Sequence, residues 1–353
     1  MPVQSPTLDV SAVTPAYNAA EWIRRTVDSA LAQSVAPREV IVVDDGSTDG
    51  TADVVAAHED ARVRCIRQAN AGPAAARNRG IAEATGEWIA LLDADDIWLP
   101  GHLERAANAL NRCPFLVWYA DDTQNEEPDG TRSSMGDPRH CEGLLVDGLY
   151  LPSFLQAASH ATAISSDVVV IRRQILADFG GFNEGLPRCE DWDLWLRLGL
   201  AHPRIGYCTQ PGARRFLRAE SLSNTRYYDL RPLLSRLKWF LNEARHASRS
   251  EFASLLCRLR RLLETSMRHA LVSCNREGVA ELLRDSPFEL SGVVRASARL
   301  SSLLPPELAR RFWRLMFGLG ARIPAVRSAL RPREPRSRSE AVGRQVTPPR
   351  KSP

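Results

Sequence analysis

Residues 40–51 read VIVVDDGSTDGT. The first four are an unbroken aliphatic run, the pattern of a strand covered on both faces. The run stops at Asp44-Asp45-Gly46-Ser47, a turn cluster, and residues 51–58 then read as a helix. Strand, polar turn and helix make half of a βαβ unit, and the unit recurs on either side. Residues 10–14 form a short apolar run ending at Pro15, with Tyr17-Asn18 in the loop after it. Over residues 20–33, Trp22, Ile23, Val27, Ala30 and Leu31 fall at helical spacing. Residues 63–67 predict a third strand. Gly72-Pro73 opens a helix over 74–84, with proline at its first position. Residues 88–92 predict a fourth strand, ending at Asp93. Strands alternating with helices imply parallel βαβ units and an α/β sheet with helices on both faces.

In such sheets ligands bind beyond the carboxyl ends of the strands. The polar clusters stand there: TPAY (14–17) after the first strand, Asp44-Asp45 after the second, and DADD (93–96) after the fourth. A D-x-D triplet alone is weak, since about one arises by chance in a chain of this length. At a strand end, beside two other such clusters, it gains weight. Carboxylates there can hold Mg²⁺ or Mn²⁺, hard cations that prefer oxygen. Such a cation would bridge a diphosphate and neutralise charge on a leaving group.

The middle of the chain is less regular. Residues 116–120 predict a strand, 121–148 a long polar loop, 168–171 another strand, and Gly180-Gly181-Phe182 a turn. Glu190-Asp191 opens a helix with Trp192, Trp195, Leu196 and Gly199 on one face. Acidic residues in a first turn are favoured by the helix dipole, so capping is one reading of the pair. The other is a general base that takes a proton from an acceptor hydroxyl. Asp193, further into the helix, is the weaker candidate. From about residue 229 the pattern is helical only, over 230–247, 251–273, 279–284 and an interrupted, basic, amphipathic stretch at 305–330.

The chain has 353 residues, 44% hydrophobic and 25% charged, an ordinary globular composition. Its net charge of +4 is unevenly placed. Residues 331–353 carry seven basic and two acidic side chains, a local +5, so the remainder sums to −1. That tail has five prolines and almost no apolar side chains, the composition of a disordered basic tail. The seven cysteines form no CxxC pair, which fits reduced thiols in a cytoplasmic protein. No signal peptide is expected at the N-terminus, and no uncharged apolar run approaches a membrane span. The arginines and aromatic residues of 305–330 allow peripheral contact with an anionic membrane, or packing onto the rest of the chain. No nucleic-acid partner is expected.

Six segments occur in order: VSAVTPAYNAAEWIRRTVDSALAQ, VIVVDDGSTDGT, NAGPAAARNRGI, GEWIALLDADDIWLP, GGFNE and EDWDLWLRL. Over about residues 8–225 the chain thereby resembles the family 2 glycosyltransferases, which have the GT-A fold. The resemblance implies a Rossmann-like, mostly parallel central sheet flanked by helices. The change of pattern along the chain places a catalytic domain at 1–225, followed by a helical C-terminal region at 226–330 and the tail at 331–353. The resemblance implies an inverting transfer from a nucleotide-sugar donor, a UDP-sugar being commonest, to a glycan or lipid-linked acceptor in cell-surface polysaccharide synthesis. By resemblance Thr14, Pro15 and Tyr17 line the nucleotide pocket. Asp44, or alternatively Asp45, meets the base. Gly72 and its helix lie against the nucleotide, with Arg77 and Asn78 nearby. Asp93 contacts the ribose or the metal, Asp95 binds Mn²⁺ or Mg²⁺, and Asp191 is the catalytic base. The variable acceptor region would fall at 121–165.

One stretch departs from the family. Many relatives carry a histidine after an arginine downstream of the base. Residues 215–223 here read RFLRAESLS, with Arg218 but no histidine. Ala219 or Glu220 stands where that histidine would fall, so a third protein ligand to the metal is in question, and Arg218 could instead face the diphosphate. A nucleotidyltransferase would need a glycine-rich basic first loop. A dinucleotide oxidoreductase would need G-x-G-x-x-G after a strand. Neither is present. A non-catalytic scaffold built on a degenerate transferase domain remains as the alternative of a different class.

Overall fold

The protein is described here by a computed structural model covering residues 6–160, 164–186, 189–218, 231–243, 250–259, 279, 280 and 284. The first third alternates as its pattern predicts. It runs β1 (Val10–Ala16), α1 (Ile23–Leu31), β2 (Glu39–Asp44), α2 (Thr51–Ala56), β3 (Val63–Arg67), α3 (Pro73–Glu83) and β4 (Trp88–Leu91). Then come β5 (Ile97–Trp98), α4 (His102–Arg112), β6 (Trp118–Glu126), β7 (Arg132–Ser134), α5 (Pro138–Glu142), β8 (Tyr150–Leu151) and α6 (Phe154–His160). The last described elements are β9 (Val169–Arg172), α7 (Arg173–Asp178), α8 (Glu190–Ala201), β10 (Ile205–Phe216) and α9 (Arg231–Glu243). Residues 305–330 and the tail at 331–353 lie outside the described residues.

Among the described residues the main path of the sheet is β3-β2-β1-β4-β9-β6-β10-β5. β1 to β4 pair in parallel, as does β6 with β10, whereas β9 runs antiparallel between β4 and β6. The N-terminal end of β9 therefore lies beside the C-terminal ends of its neighbours. β2 is buried at every position, as its aliphatic run requires.

β6 is longer than the predicted strand. Residues 121–126 continue it, and the carboxylates of Asp121 and Asp122 find partners beside the strand. Asp121 accepts from the Tyr119 hydroxyl, from Nδ1 of buried His102 at 2.9 Å and from Arg105 at 2.6 Å. Asp122 accepts from the Ser134 hydroxyl and from Gly136 N–H at 3.2 Å. A polar run reads as loop only when its groups stay solvated. Here Asp121 and Asp122 are buried and paired.

Below the second half of the sheet lies an aromatic core. Trp118 packs against Phe154 with centroids 4.8 Å apart and against Trp195 at 6.4 Å, and Phe182 meets Trp195 edge-on. This core fixes α8. A Cβ on Gly199 would stand 2.5 Å from Phe154, so the approach of α8 to α6 requires glycine. Gly80 does the same for α3, where an added Cβ would lie 2.4 Å from Val13 Cγ1 on β1. Helix propensity alone would make Gly80→Ala stabilising by about 1 kcal/mol. The stiff β-branched Val13 cannot withdraw, so the substitution should instead destabilise by about 1–3 kcal/mol. Urea denaturation measures the sign, and a gain in stability would contradict this packing.

Candidate active site

The crevice forms where three loops are tied together. Asn18, at φ 49°, receives a hydrogen bond from Thr48 N–H on its side-chain oxygen, and its own N–H donates to Ser47 Oγ. Ala19 N–H donates to Thr51 Oγ1 at 2.8 Å. The loop after β1 is thus fastened to the loop after β2. Gly46 sits at φ 79°, and a Cβ there would meet Asn70 N at 2.9 Å, so the turn needs glycine on both counts. Asp45 accepts from Gln68 Nε2 and from the N–H groups of Ala71 and Gly72, at 2.8–2.9 Å. Its carboxylate is committed to shaping the entry to α3. Asp44, fully buried, accepts from Ser47 N–H and pairs through its other oxygen with Arg67 at 3.1 Å. Thr14 is buried with no protein partner for its hydroxyl. Tyr17 stands 54% exposed at the rim.

The loop after β4 is strapped from behind by α1. Thr26 Oγ1 donates to the carbonyls of Ala94 and Asp96 at 2.9 and 2.7 Å, and Arg25 donates to that of Asp95. Asp96 N–H donates to Asp93 O at 3.2 Å, closing a turn. The turn sets the side chains of Asp93 and Asp96 toward the start of β9, where Asp167 lies. Carboxylate oxygens of Asp93, Asp96 and Asp167 fall within 4.8 Å of one another. An all-oxygen, triply anionic donor set suits a hard divalent cation. Asp167 is completely buried, and it accepts from Asp93 N–H at 2.9 Å and from Ser165 Oγ. Burial, then repulsion from Asp93, pushes its carboxyl up to about 6. Burial and the neighbouring aspartates drive Asp96 in the same direction.

Asp95, between two of them in sequence, is held by an arginine. Arg218 meets it twice, at the carboxylate at 3.2 Å and at the carbonyl at 3.0 Å, and lies 3.6 Å from the centroid of the Trp22 ring. Arg215, on β10, faces the cleft. Burial lowers the proton affinity of its guanidinium, but Asp167, Asp96, Asp93 and Asp191 outweigh that and raise it.

Asp191 lies in the first turn of α8, recessed in protein yet partly open to solvent. Its Oδ1 accepts from Trp192 N–H at 2.7 Å. Burial, then the adjacent Glu190, pushes its carboxyl up to about 7. Asp193 is occupied by Arg197 and Arg236, so neither of its oxygens is left to act as a base. Arg77 is enclosed within the wall. It donates to Asp93 at 2.7 Å and to Glu190 at 2.9 Å. Asn78 clips the loop before α8, bonding both N–H and carbonyl of Phe182 and the carboxylate of Glu184.

The fold therefore gathers the ends of β1, β2 and β4 and the start of α8 on one crevice. Sequence reading omitted Asp96, Asp167 and Arg215. Asp167 precedes a strand, and only knowledge that β9 runs antiparallel would bring it to this end of the sheet. The other two were legible as a second acid beside the triplet and a second arginine near Arg218.

Comparison with known proteins agrees with this arrangement. Residues 11–171 match the family described as Glycosyl transferase family 2. The matched segment contains the ends of β1, β2 and β4 and Asp167, and stops short of α8. The chain is similar to the chondroitin synthase of Pasteurella multocida (strain Pm70), 33% identical over 193 residues, which is 54% of this chain and 18% of the synthase. It is also similar to the succinoglycan biosynthesis protein ExoO of Rhizobium meliloti (strain 1021), 52% identical over 98 residues, 28% of each chain. These matches take in less than a third of either relative's length. Among solved structures, S. aureus TarS 1-349 in complex with UDP-GlcNAc superposes with a TM-score of 0.64 at 19% identity, covering 89% of this chain and 92% of that one. The mannosyltransferase PcManGT from Pyrobaculum calidifontis, in complex with GDP-Man and Mn²⁺, gives 0.52 at 20% identity, covering 92% and 87%. Both share the GT-A arrangement of a central sheet flanked by helices. Fold, ordered motifs and family match agree, and the chain carries a family 2 glycosyltransferase domain.

Proposed function

We propose that the protein transfers a sugar, with inversion, from a nucleotide-sugar donor of the UDP class to a hydroxyl of a glycan or lipid-linked acceptor. Polysaccharide synthesis is the setting, supported by the names of the chondroitin synthase and succinoglycan relatives. The UDP preference is supported by the donor in the TarS structure. We take residues 1–225 as the transferase domain, 226–330 as a helical region and 331–353 as a tail. No described helix is long and apolar enough to cross a membrane. We place the protein in the cytoplasm, with a peripheral membrane role for 305–330.

The observation that carries this reading is Asp191. It opens α8 on the crevice, and its proton affinity is raised to about 7, near the optimum for a base working at neutral pH. It would take the proton of the acceptor hydroxyl as that oxygen attacks the anomeric carbon from the face opposite the departing nucleoside diphosphate. Thr14, Pro15 and Tyr17 would line the nucleotide pocket, with Asp44 at the base. Gly72 and α3 would flank it.

Asp93, Asp96 and Asp167 would hold Mg²⁺ or Mn²⁺. The ion, when bound, neutralises charge on the diphosphate. Asp95 would join them on leaving Arg218. Arg215, facing the same carboxylates, would lie beside the leaving group.

Purified protein is to be screened against a panel of nucleotide sugars with Mn²⁺ or Mg²⁺, reading released nucleotide. A UDP-sugar should turn over. Turnover of none would favour the scaffold alternative. Asp191→Asn should lower transfer by about 10²–10⁴-fold while calorimetric affinity for the nucleoside diphosphate is kept. Wild-type turnover in that variant would remove Asp191 from the reaction. Because the base acts deprotonated, kcat should rise with pH through about 7 and then level.

In chelator, the buried Asp167 carboxylate makes stability depend on pH. The folded-state value of Asp167, about 6, exceeds its ordinary value of 3.8, so the ionised group opposes folding above pH 6 and the penalty fades as pH falls toward 4. Asp167→Asn should therefore stabilise the protein at pH 7.5 by up to about 3 kcal/mol, shrinking toward pH 4, while weakening Mn²⁺ binding. Urea denaturation at both pH values reads the first effect and calorimetry the second.

A further inference from the structure

Arg77 projects from α3 into the wall between the two halves of the crevice, with its side chain only 6% exposed. One terminal nitrogen, Nη2, donates to Asp93 at the end of β4. The other, Nη1, donates to Glu190, the residue before Asp191. Its carbon Cζ lies 5.3 Å from the centroid of the Phe182 ring, and its Nε has no protein partner. The family resemblance puts this arginine near the nucleotide, but both its terminal nitrogens are spent on protein carboxylates.

We propose that Arg77 is a positioning residue that couples the donor side of the crevice to the base, holding Asp93 with one nitrogen and, through Glu190, the first turn of α8 with the other. The inference rests on the reading of Asp191 as base. A guanidinium can serve two carboxylates at once because its donors are fixed in a planar fork, whereas a lysine presents a single point charge. The two carboxylates come from elements 97 residues apart in sequence (positions 93 and 190), so no local structure sets their separation. Asn78, the next residue, fastens the loop before α8 at Phe182, and a Cβ on Gly181 would stand 2.5 Å from its side-chain oxygen. At its other end, α3 begins at Gly72, whose N–H is held by Asp45. One helix thus spans from the loop after β2 to the base.

The body of α8 does not depend on Arg77. Arg197 ties it to the carbonyls of Phe179 and Gly181, and Arg236 of α9 ties Asp193. Loss of Arg77 should therefore release the first turn and leave the helix in place. The charged groups that face Asp191 are Glu190 on its own helix, Arg77 from α3, Asp93 at the end of β4 and Arg215 from β10. Arg77 favours the ionised base and Glu190 opposes it. The two members of one ion pair therefore act on the base with opposite sign.

The test uses the full chain, with kcat measured against pH for Arg77→Met, Arg77→Lys, Glu190→Gln and Asp191→Asn. Each variant's thermal melt and affinity for the nucleoside diphosphate are recorded. Arg77→Met should move the acid limb of kcat to higher pH by about one unit and Glu190→Gln should move it lower, each with a loss of roughly 10-fold or more on the plateau. Arg77→Lys should restore the position of the limb more than the plateau rate, since it returns the charge without the fork. Should Arg77→Met fail to fold, Glu190→Gln decides alone by the direction of its limb. If Asp191→Asn is inactive while the limb stays at the wild-type pH in the folded variants, or moves the same way in both, the coupling is overturned and the base assignment stands. Wild-type turnover in Asp191→Asn overturns both.

Discussion

The site depends on bringing carboxylates together against their mutual repulsion. Asp93, Asp96, Asp167 and Asp191 all face one cleft, and burial raises the cost of ionising each one it encloses. The fold meets this load with cations of its own and with backbone donors. Arg77 lies between Asp93 and Glu190, Arg215 faces the group from β10, and N–H groups of Asp93 and Phe216 donate to Asp167 and Asp96. The balance remains incomplete, so burial and repulsion push the carboxyls of Asp167 and Asp191 up to about 6 and about 7. A fully neutralised cluster would fold more comfortably and would have little affinity left for a cation or a proton. Functional sites keep this kind of residual strain.

The rigid parts of the molecule serve that concentration of charge. β2 and β1 are buried on both faces, so their ends cannot drift. α1 holds three successive carbonyls of the loop after β4, using Thr26 and Arg25. α8 is fixed by aromatic packing around Trp195 and by Arg197 before any of its acidic residues is considered. Asp193 belongs to this scaffold. With Arg197 on one oxygen and Arg236 on the other, it anchors α9 to the helix that carries Asp191. Three acids within four residues thus divide among three tasks according to what each one touches.

The parallel half of the fold was legible in the sequence because burial on both faces leaves a local mark, an unbroken aliphatic run closed by a turn cluster. The second half was less so. β6 continues through Asp121 and Asp122, whose partners His102, Arg105 and Ser134 are distant in sequence, so a strand there looks like a loop. The same limit explains Asp167. A rule that sends ligands to strand C-termini is blind to the N-terminus of a strand running the other way. Arg77 was noticed for the segment it belongs to, but no local pattern reports an ion pair with a residue 113 positions on.

The acidic turn after β4 shows how a motif and its geometry can part. Read as D-x-D, residues 93–95 suggest that Asp93 and Asp95 act together. The backbone closes a turn from Asp93 O to Asp96 N, and a turn brings its first and fourth residues together. Asp96 therefore joins Asp93, and Asp95 pairs with Arg218. Arg218 comes from the stretch where many relatives carry a histidine. Arg218 matches the arginine that precedes it, and its guanidinium carries a fixed positive charge that binds the Asp95 carboxylate. A cation drawing on Asp95 must compete with an arginine that is itself stacked on Trp22.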